Sequence, residues 1–221
     1  SDVLFLTVPD GEIPVVWERL KEIDLNNKMI CHTSGALGSE VFSDMKNQNV
    51  YGFSVHPILA ISSKYESYKD IKSAFFTIEG SREKIDEVAD IFRKCKNKVQ
   101  IIDSSEKIKY HVACSIVSNF AVTLADIAKE MLEESGFDDK TVFEAIGPLI
   151  SKNADNIVRN GTIEALTGPI ERGDVQTVEK HMSVLSGEEL LLYKSLARRT
   201  LRLAKEKNPE RNYNNMMEVL E

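Results

Sequence analysis

The sequence predicts an α/β protein in two halves, a mostly parallel sheet with flanking helices followed by an all-α half. Two observations carry this. Up to about Asp103, short apolar runs alternate with amphipathic helical segments. Beyond it the strand pattern stops and only helical periodicity remains, so one domain is expected over 1–104 and a second over 105–221. With 221 residues and 42% hydrophobic content, both halves can build a core.

Each element follows from its own stretch. Val3 to Val8, Lys28 to Thr33, Val50 to Val55, Ala74 to Ile78 and Val99 to Ile102 are short apolar runs of the kind found in strands covered on both faces. Between them Ile13, Val16, Trp17 and Leu20, and later Ile85, Val88, Phe92 and Cys95, recur at helical spacing, giving each helix one buried face. The second half is predicted as helices over roughly 105 to 134, 139 to 159, 175 to 186 and 188 to 206. The tail from Asn208 to Glu221 is polar and is expected to fray unless a partner holds it. The first run opens with no cap or leader ahead of it, so the chain is expected to enter its fold partway through.

The totals exclude several classes of function. Lys plus Arg is 28 against 35 Asp plus Glu, a net charge of −7, which disfavours sequence-independent binding to nucleic acid or to an anionic membrane. No apolar run is expected to approach the ~20 residues of a membrane span. Cys31, Cys95 and Cys114 are odd in number, widely spaced and set among apolar residues, the pattern of buried thiols in a reducing compartment, so a cytoplasmic location is expected. Cysteines and histidines show no metal-ligand spacing, and the adjacent Cys31 and His32 would point to opposite faces of a strand, so no metal site is expected. Ser34 lacks the Gly-x-Ser-x-Gly setting of a hydrolase nucleophile, and Gly35 with Gly38 is half a phosphate loop with no Gly-Lys-Ser/Thr after it.

Three places carry chemistry. The first long helix has Val112, Ile116, Val117, Phe120, Leu124 and Ile127 around most of its circumference and is expected to be largely buried. Yet His111, Ser115, Ser118, Asn119 and Asp126 form one polar stripe, either the helix's solvent side or the wall of an interdomain cleft. Val8-Pro9-Asp10, Thr33-Ser34-Gly35 and His56-Pro57 close three strands whose carboxyl ends share the edge where open α/β folds bind ligands. In Leu166 to Asp174, Gly168 and Pro169 break a helix, Gly173 frees the backbone, and Asp174 can cap the next helix, which presents Arg172 at a helix entrance suited to anions. An ordinary inter-helix turn is the alternative there.

Taken together, Val8-Pro9-Asp10, His32-Thr33-Ser34-Gly35, Ser54-Val55-His56-Pro57, Tyr110-His111 with Ser118-Asn119-Phe120, and Leu166-Thr167-Gly168-Pro169 with Arg172-Gly173-Asp174 resemble one known family. It is the group of NADP-dependent oxidoreductase-type proteins made of a Rossmann-like domain followed by a helical domain of unknown function, numbered twenty-five-twenty. The match runs from Val3 to about Lys205, and the architecture is more distantly similar to the β-hydroxyacid, ketopantoate, pyrroline-carboxylate and prephenate dehydrogenases. The resemblance implies the C-terminal part of a Rossmann-like sheet, with a first βαβ unit and its Gly-x-Gly-x-x-Gly turn, roughly 60 to 70 residues, expected ahead of Ser1. It implies NADP or NAD in the full-length protein and none held by this stretch alone.

The function this resemblance implies is NAD(P)-dependent oxidation or reduction of a small carbonyl or hydroxy- or imino-acid metabolite in an interdomain cleft. Val8, Pro9, Ser34 and His56 would border the cofactor; His111, Ser115 and Asn119 would do the chemistry; Thr167, Gly168, Arg172 and Asp174 would hold the substrate. The β-hydroxyacid and ketopantoate enzymes place a Lys four residues before an Asn on this helix, whereas here Ser115 precedes Asn119, leaving His111 as the best acid or base. A non-catalytic dinucleotide or metabolite sensor is the competing expectation. A homodimer through the helical half is expected on either.

Overall fold

The structure, a computed structural model, describes residues 1–61, 63 and 65–221 and divides into two compact units, Ser1–Ile127 and Ala128–Glu221. In the first unit the apolar runs form one five-stranded sheet: β1 (Val3–Leu6), β2 (Met29–His32), β3 (Tyr51–Ile58), β4 (Phe75–Gly80) and β5 (Lys98–Ile101), in that spatial order. β1, β2 and β3 run parallel, β3 and β4 antiparallel, and β4 and β5 parallel, the Rossmann-like, mostly parallel sheet expected from sequence. Alternation along each strand divides the core between the two faces of the sheet. Ile30 joins Leu6, Trp17 and Phe42 under α1 (Ile13–Leu20), while Cys31 joins Phe53, Val55, Ile78 and Val88 under α2 (Ile85–Lys94).

β3 is longer than its apolar run. It continues through His56 and Pro57 to Ile58 because the antiparallel β4 pairs with it there, His56 facing Thr77 and Pro57 facing Phe76. His56 thus lies inside a strand, not at its end.

The long helix of residues 105 to 134 is two helices, α3 (Lys107–Val117) and α4 (Asn119–Glu134), parted at Ser118 with ψ −77°. It is also turned the other way from expectation. Tyr110, His111, Cys114 and Ser115 are half-buried, whereas Val112, Ile116, Val117 and Phe120 are more than half exposed. On α3 the polar His111 and Ser115 lie toward protein and the apolar face toward solvent, because α3 docks on the sheet through its first turn, where Lys107 is its one buried residue; farther along, Ser118, Asn119 and Asp126 of the stripe are exposed. By length and composition, with mean hydropathy 1.4, Ser104–Glu134 is apolar enough to cross a membrane, contrary to the expectation of no such run. Its break at Ser118 and the docking of its first turn make it part of this fold.

The second unit is helical: the end of α4, then α5 (Asp139–Ala165), α6 (Pro169–Arg172), α7 (Val175–Ser183), α8 (Gly187–Lys207) and α9 (Asn214–Leu220). Its core gathers Ile170, Val178, Ala197, Leu201, Ala204, Tyr213, Met216 and Leu220. The tail expected to fray is α9, because Tyr213, Met216 and Leu220 recur at helical spacing and are all buried. Cys31 is buried as expected, but Cys95, in the turn that ends α2, is exposed, and Cys114, on α3, is half-buried.

Candidate functional site

A groove of about 550 Å³ opens in the first unit between the end of β3 and the polar side of α3 and α4. His56, Leu59, His111, Ser115, Asn119 and Val122 are among its lining residues, and none of the lining residues is a carboxylate. The structure therefore brings four of the sequence-predicted residues, His56, His111, Ser115 and Asn119, to one cavity of ligand size.

His56 is half-buried, with Nδ1 2.6 Å from the Tyr110 hydroxyl. Burial first, then the charges of Lys107 and His111, push its pKa down to about 4, so its ring is neutral at physiological pH. Burial pushes the Tyr110 hydroxyl up to about 12, which keeps it protonated, so this short contact with Nδ1 is a hydrogen bond between two neutral groups.

The rings of His56 and His111 meet edge to face with centroids 6.3 Å apart. Gly35 lies against both: a Cβ added there would come within 2.6 Å of His111 Cδ2 and 2.8 Å of His56 Nε2. Among the described residues, the side chains of His111, Ser115 and Asn119 have no hydrogen-bond partner in the chain.

The strand-end residues have other tasks. Ser34 is buried; its hydroxyl donates to Asp10 Oδ2 at 2.7 Å and accepts from the Leu37 amide at 2.9 Å, which fixes the loop after β2 and ties it to the loop after β1. His32, fully buried, bridges the same loop: Nδ1 accepts from the Ser34 amide, so Nε2 donates to the Gly38 carbonyl. Val8 and Pro9 are exposed, and the Pro9 carbonyl accepts from the Glu12 amide at 2.8 Å.

In the second unit, Gly168 (φ 102°) and Gly173 (φ 75°) take the left-handed conformations that a glycine-punctuated turn requires. Asp174 caps α7, with its oxygens accepting from the Thr177 amide and hydroxyl. The turn is held from below by Tyr213, whose hydroxyl donates to the Glu171 carbonyl at 2.6 Å. Arg172 and Thr167 are exposed, and the Arg172 guanidinium makes no hydrogen bond or ion pair among the described residues.

Two buried charges were missed from sequence. Lys107, 2% exposed, donates from Nζ to the Ser34 carbonyl (3.1 Å) and the Ser54 hydroxyl (2.6 Å). Glu79, also 2% exposed, accepts from the Ser39 amide and hydroxyl. Burial pushes Lys107 down to about 8 although Glu79, Glu40, Cys114 and Asp10 favour its charge. A charged residue at a strand or helix position usually marks a solvated face, and the signal that could have flagged Lys107 is its place two turns before Ser115 on the polar stripe.

No curated protein matches this chain. Among solved structures it is similar to protein TM1727 from Thermotoga maritima, at 30% identity over 94% of this chain and 80% of that one, with a TM-score of 0.79. BF3122 from Bacteroides fragilis, provisionally described as an NADP oxidoreductase, shares 23% identity over 91% of this chain and 76% of its own, with a TM-score of 0.67. Pyrroline carboxylate reductase from Plasmodium falciparum, solved with NADP bound, shares 13% identity over 93% and 75%, with a TM-score of 0.60; these last two likenesses show the fold alone. The family model described as "Domain of unknown function (DUF2520)" matches residues 74–200, from the strand pairing that holds His56 through the α3 groove and the Gly168 turn to α8, and the chain belongs to this family.

Proposed function

We propose that this protein serves an NAD(P)-dependent oxidation or reduction of a small carbonyl, hydroxy- or imino-acid metabolite at the groove beside His111. The observation that carries the reading is the set of three polar side chains, His111, Ser115 and Asn119, that face a ligand-sized cavity with no hydrogen-bond partner among the described residues. A cavity with apolar Leu59 and Val122 on its walls and amide, hydroxyl and imidazole groups between them fits a planar carboxamide ring together with a small polar substrate. The nicotinamide cofactor, when bound, gives or takes a hydride.

The chain's own residues do the rest. His111 gives or takes the proton at the substrate oxygen or nitrogen, Asn119 and Ser115 orient the polar groups, and neutral His56 offers a hydrogen-bonding ring without adding charge. Val8, Pro9 and Ser34 shape the strand-end border for the cofactor. In its own unit Arg172, beside Thr167, Gly168 and the Asp174 cap, is the group free to contact an anion. Three unpaired thiols support a cytoplasmic setting, and the exposed apolar faces of the helices support a homodimer.

The test is calorimetric titration of the protein with NADPH and NADH, parent against Asn119→Ala, followed by turnover of oxo- and hydroxy-acids by parent and His111→Ala. Saturable binding weakened about tenfold by Asn119→Ala, with turnover cut 10²-fold or more by His111→Ala, is expected. Binding that neither substitution alters would overturn the assignment of this groove. Ser115, standing where related dehydrogenases have Lys, favours a non-catalytic sensor as second reading, and binding without turnover by the parent would decide for it.

A further inference from the structure

Lys107 is an expensive residue for this fold to keep. Its ammonium is withdrawn from water, and among the described residues no carboxylate comes within ion-pair distance of it. A methionine would fill similar volume without burying a charge, so packing alone does not account for a lysine here.

The contacts point to a different task. Nζ bonds at once to the Ser34 carbonyl, in the turn after β2, and to the Ser54 hydroxyl, on β3. The Ser54 hydroxyl itself donates to the same Ser34 carbonyl at 3.2 Å, so three elements, turn, strand and helix, meet at one small polar knot. Gly35, the next residue of that turn, is the one packed against His56 and His111. Lys107 also lies one helical turn before His111 on α3, with Nζ 5.6 Å from the centre of the Tyr110 ring. Any shift of the turn is therefore passed directly to the two rings of the groove.

We propose that Lys107 is the positioning residue of this groove: by tying the Ser34 carbonyl to β3 from the first turn of α3, it seats Gly35 against His56 and His111. This rests on the groove's being the functional site, but the arrangement is testable without any ligand. The knot survives loss of the lysine's charge, because a neutral amine keeps the two donors it needs for Ser34 and Ser54. The charge has its own effect, helping to hold His56 neutral against Asp10, which favours its protonation. The other titratable groups around Lys107 are Glu79 from β4, Glu40 and Asp10 from the loops, and Cys114, Tyr110 and His111 from α3 itself.

The experiment follows the four histidine ring signals by NMR in the parent and in Lys107→Met, with His181 of the second unit as internal control. In a folded Lys107→Met, the His56 and His111 signals should move, and the His56 midpoint should rise by roughly half a unit to one unit, as removal of a nearby positive charge requires. The midpoint reports the lost charge alone; a lysine that only fills space would lower stability and leave the His56 and His111 signals at neutral pH in place, and a folded variant with those parental signals overturns the proposal. Should Lys107→Met fail to fold, Ser54→Ala removes one acceptor of the knot in place; displaced His56 and His111 signals sustain the proposal, and unchanged ones overturn it. Because no cofactor enters, ring displacement in a protein that binds no dinucleotide would defeat the function proposed above and leave the role of Lys107 standing.

Discussion

Gly35 is the residue on which the groove geometry turns. A methyl group there has no free space, since it would stand inside the contact distance of both imidazoles. Gly35→Ala should cost about 1–3 kcal/mol in denaturant unfolding, and the His56 and His111 ring signals should shift while His181 stays fixed. A second residue-scale prediction concerns acid. His56 has a folded pKa of about 4, below the ordinary 6.5, so between these values the unfolded chain binds more protons than the folded one. Stability is then complete above pH 6.5 and falls as pH drops through 6.5 toward 4, with His32, lowered mainly by burial, acting in the same direction. Discounted for partial exposure, the His56 share is on the order of 1–2 kcal/mol, and His56→Gln should flatten that part of the pH profile. At this scale the grouping of His111, Ser115 and Asn119 was legible, because helical spacing alone stacks them on one face. Lys107 and Glu79 were not, because sequence gives a charged residue no mark of burial; only the arrival of Ser34, Ser39 and Ser54 from other elements supplies their partners.

At the scale of elements, strands and helices were legible where periodicity was strong and misjudged where a partner element decides. The antiparallel neighbour β4 carries β3 past His56, which no local pattern in β3 announces. α9 was hidden for a similar reason: a mostly polar segment buries only Tyr213, Met216 and Leu220, and these matter because α6 and α8 offer a surface for them. The Gly168 turn is held by that same helix. The Tyr213 hydroxyl donates to the Glu171 carbonyl and lies 3.3 Å from the Ala204 carbonyl, so α9 locks the α6 turn onto the end of α8. Tyr213→Phe keeps the buried ring and removes the hydroxyl, and it should cost about 1 kcal/mol with no change in helix content by circular dichroism. A loss of helix on that substitution would mean that the ring's burial, rather than its hydrogen bonds, fails first.

For the molecule as a whole, the decisive fact is that α3 and α4 turn their apolar side outward. Sequence reasoning took a mostly apolar helix to be a buried one, and within a single chain it is not: Val117 is 75% exposed, Phe120 57% and Ile116 52%. In the second unit α5 likewise exposes Val158 at 85% and Leu149 at 64%. Isolated exposed apolar residues need no explanation, but contiguous ones on successive turns of a helix do, because their hydration is unfavourable by roughly 25 cal/mol per Å². A second copy of the chain is the simplest cover, since a self-complementary apolar face closes a two-fold dimer without further partners. Light scattering in detergent-free buffer should then give twice 24.9 kDa across a micromolar concentration series. Val117→Asp is the informative variant: the side chain is mostly exposed in the single chain, so the fold should survive, while a carboxylate placed in an apolar interface should drive the mass to that of the monomer. A parent that runs as a monomer, or a Val117→Asp protein that keeps the doubled mass, would remove this face from the interface, and a parent recovered only with lipid or detergent would assign the apolar side of Ser104–Glu134 to a membrane surface instead.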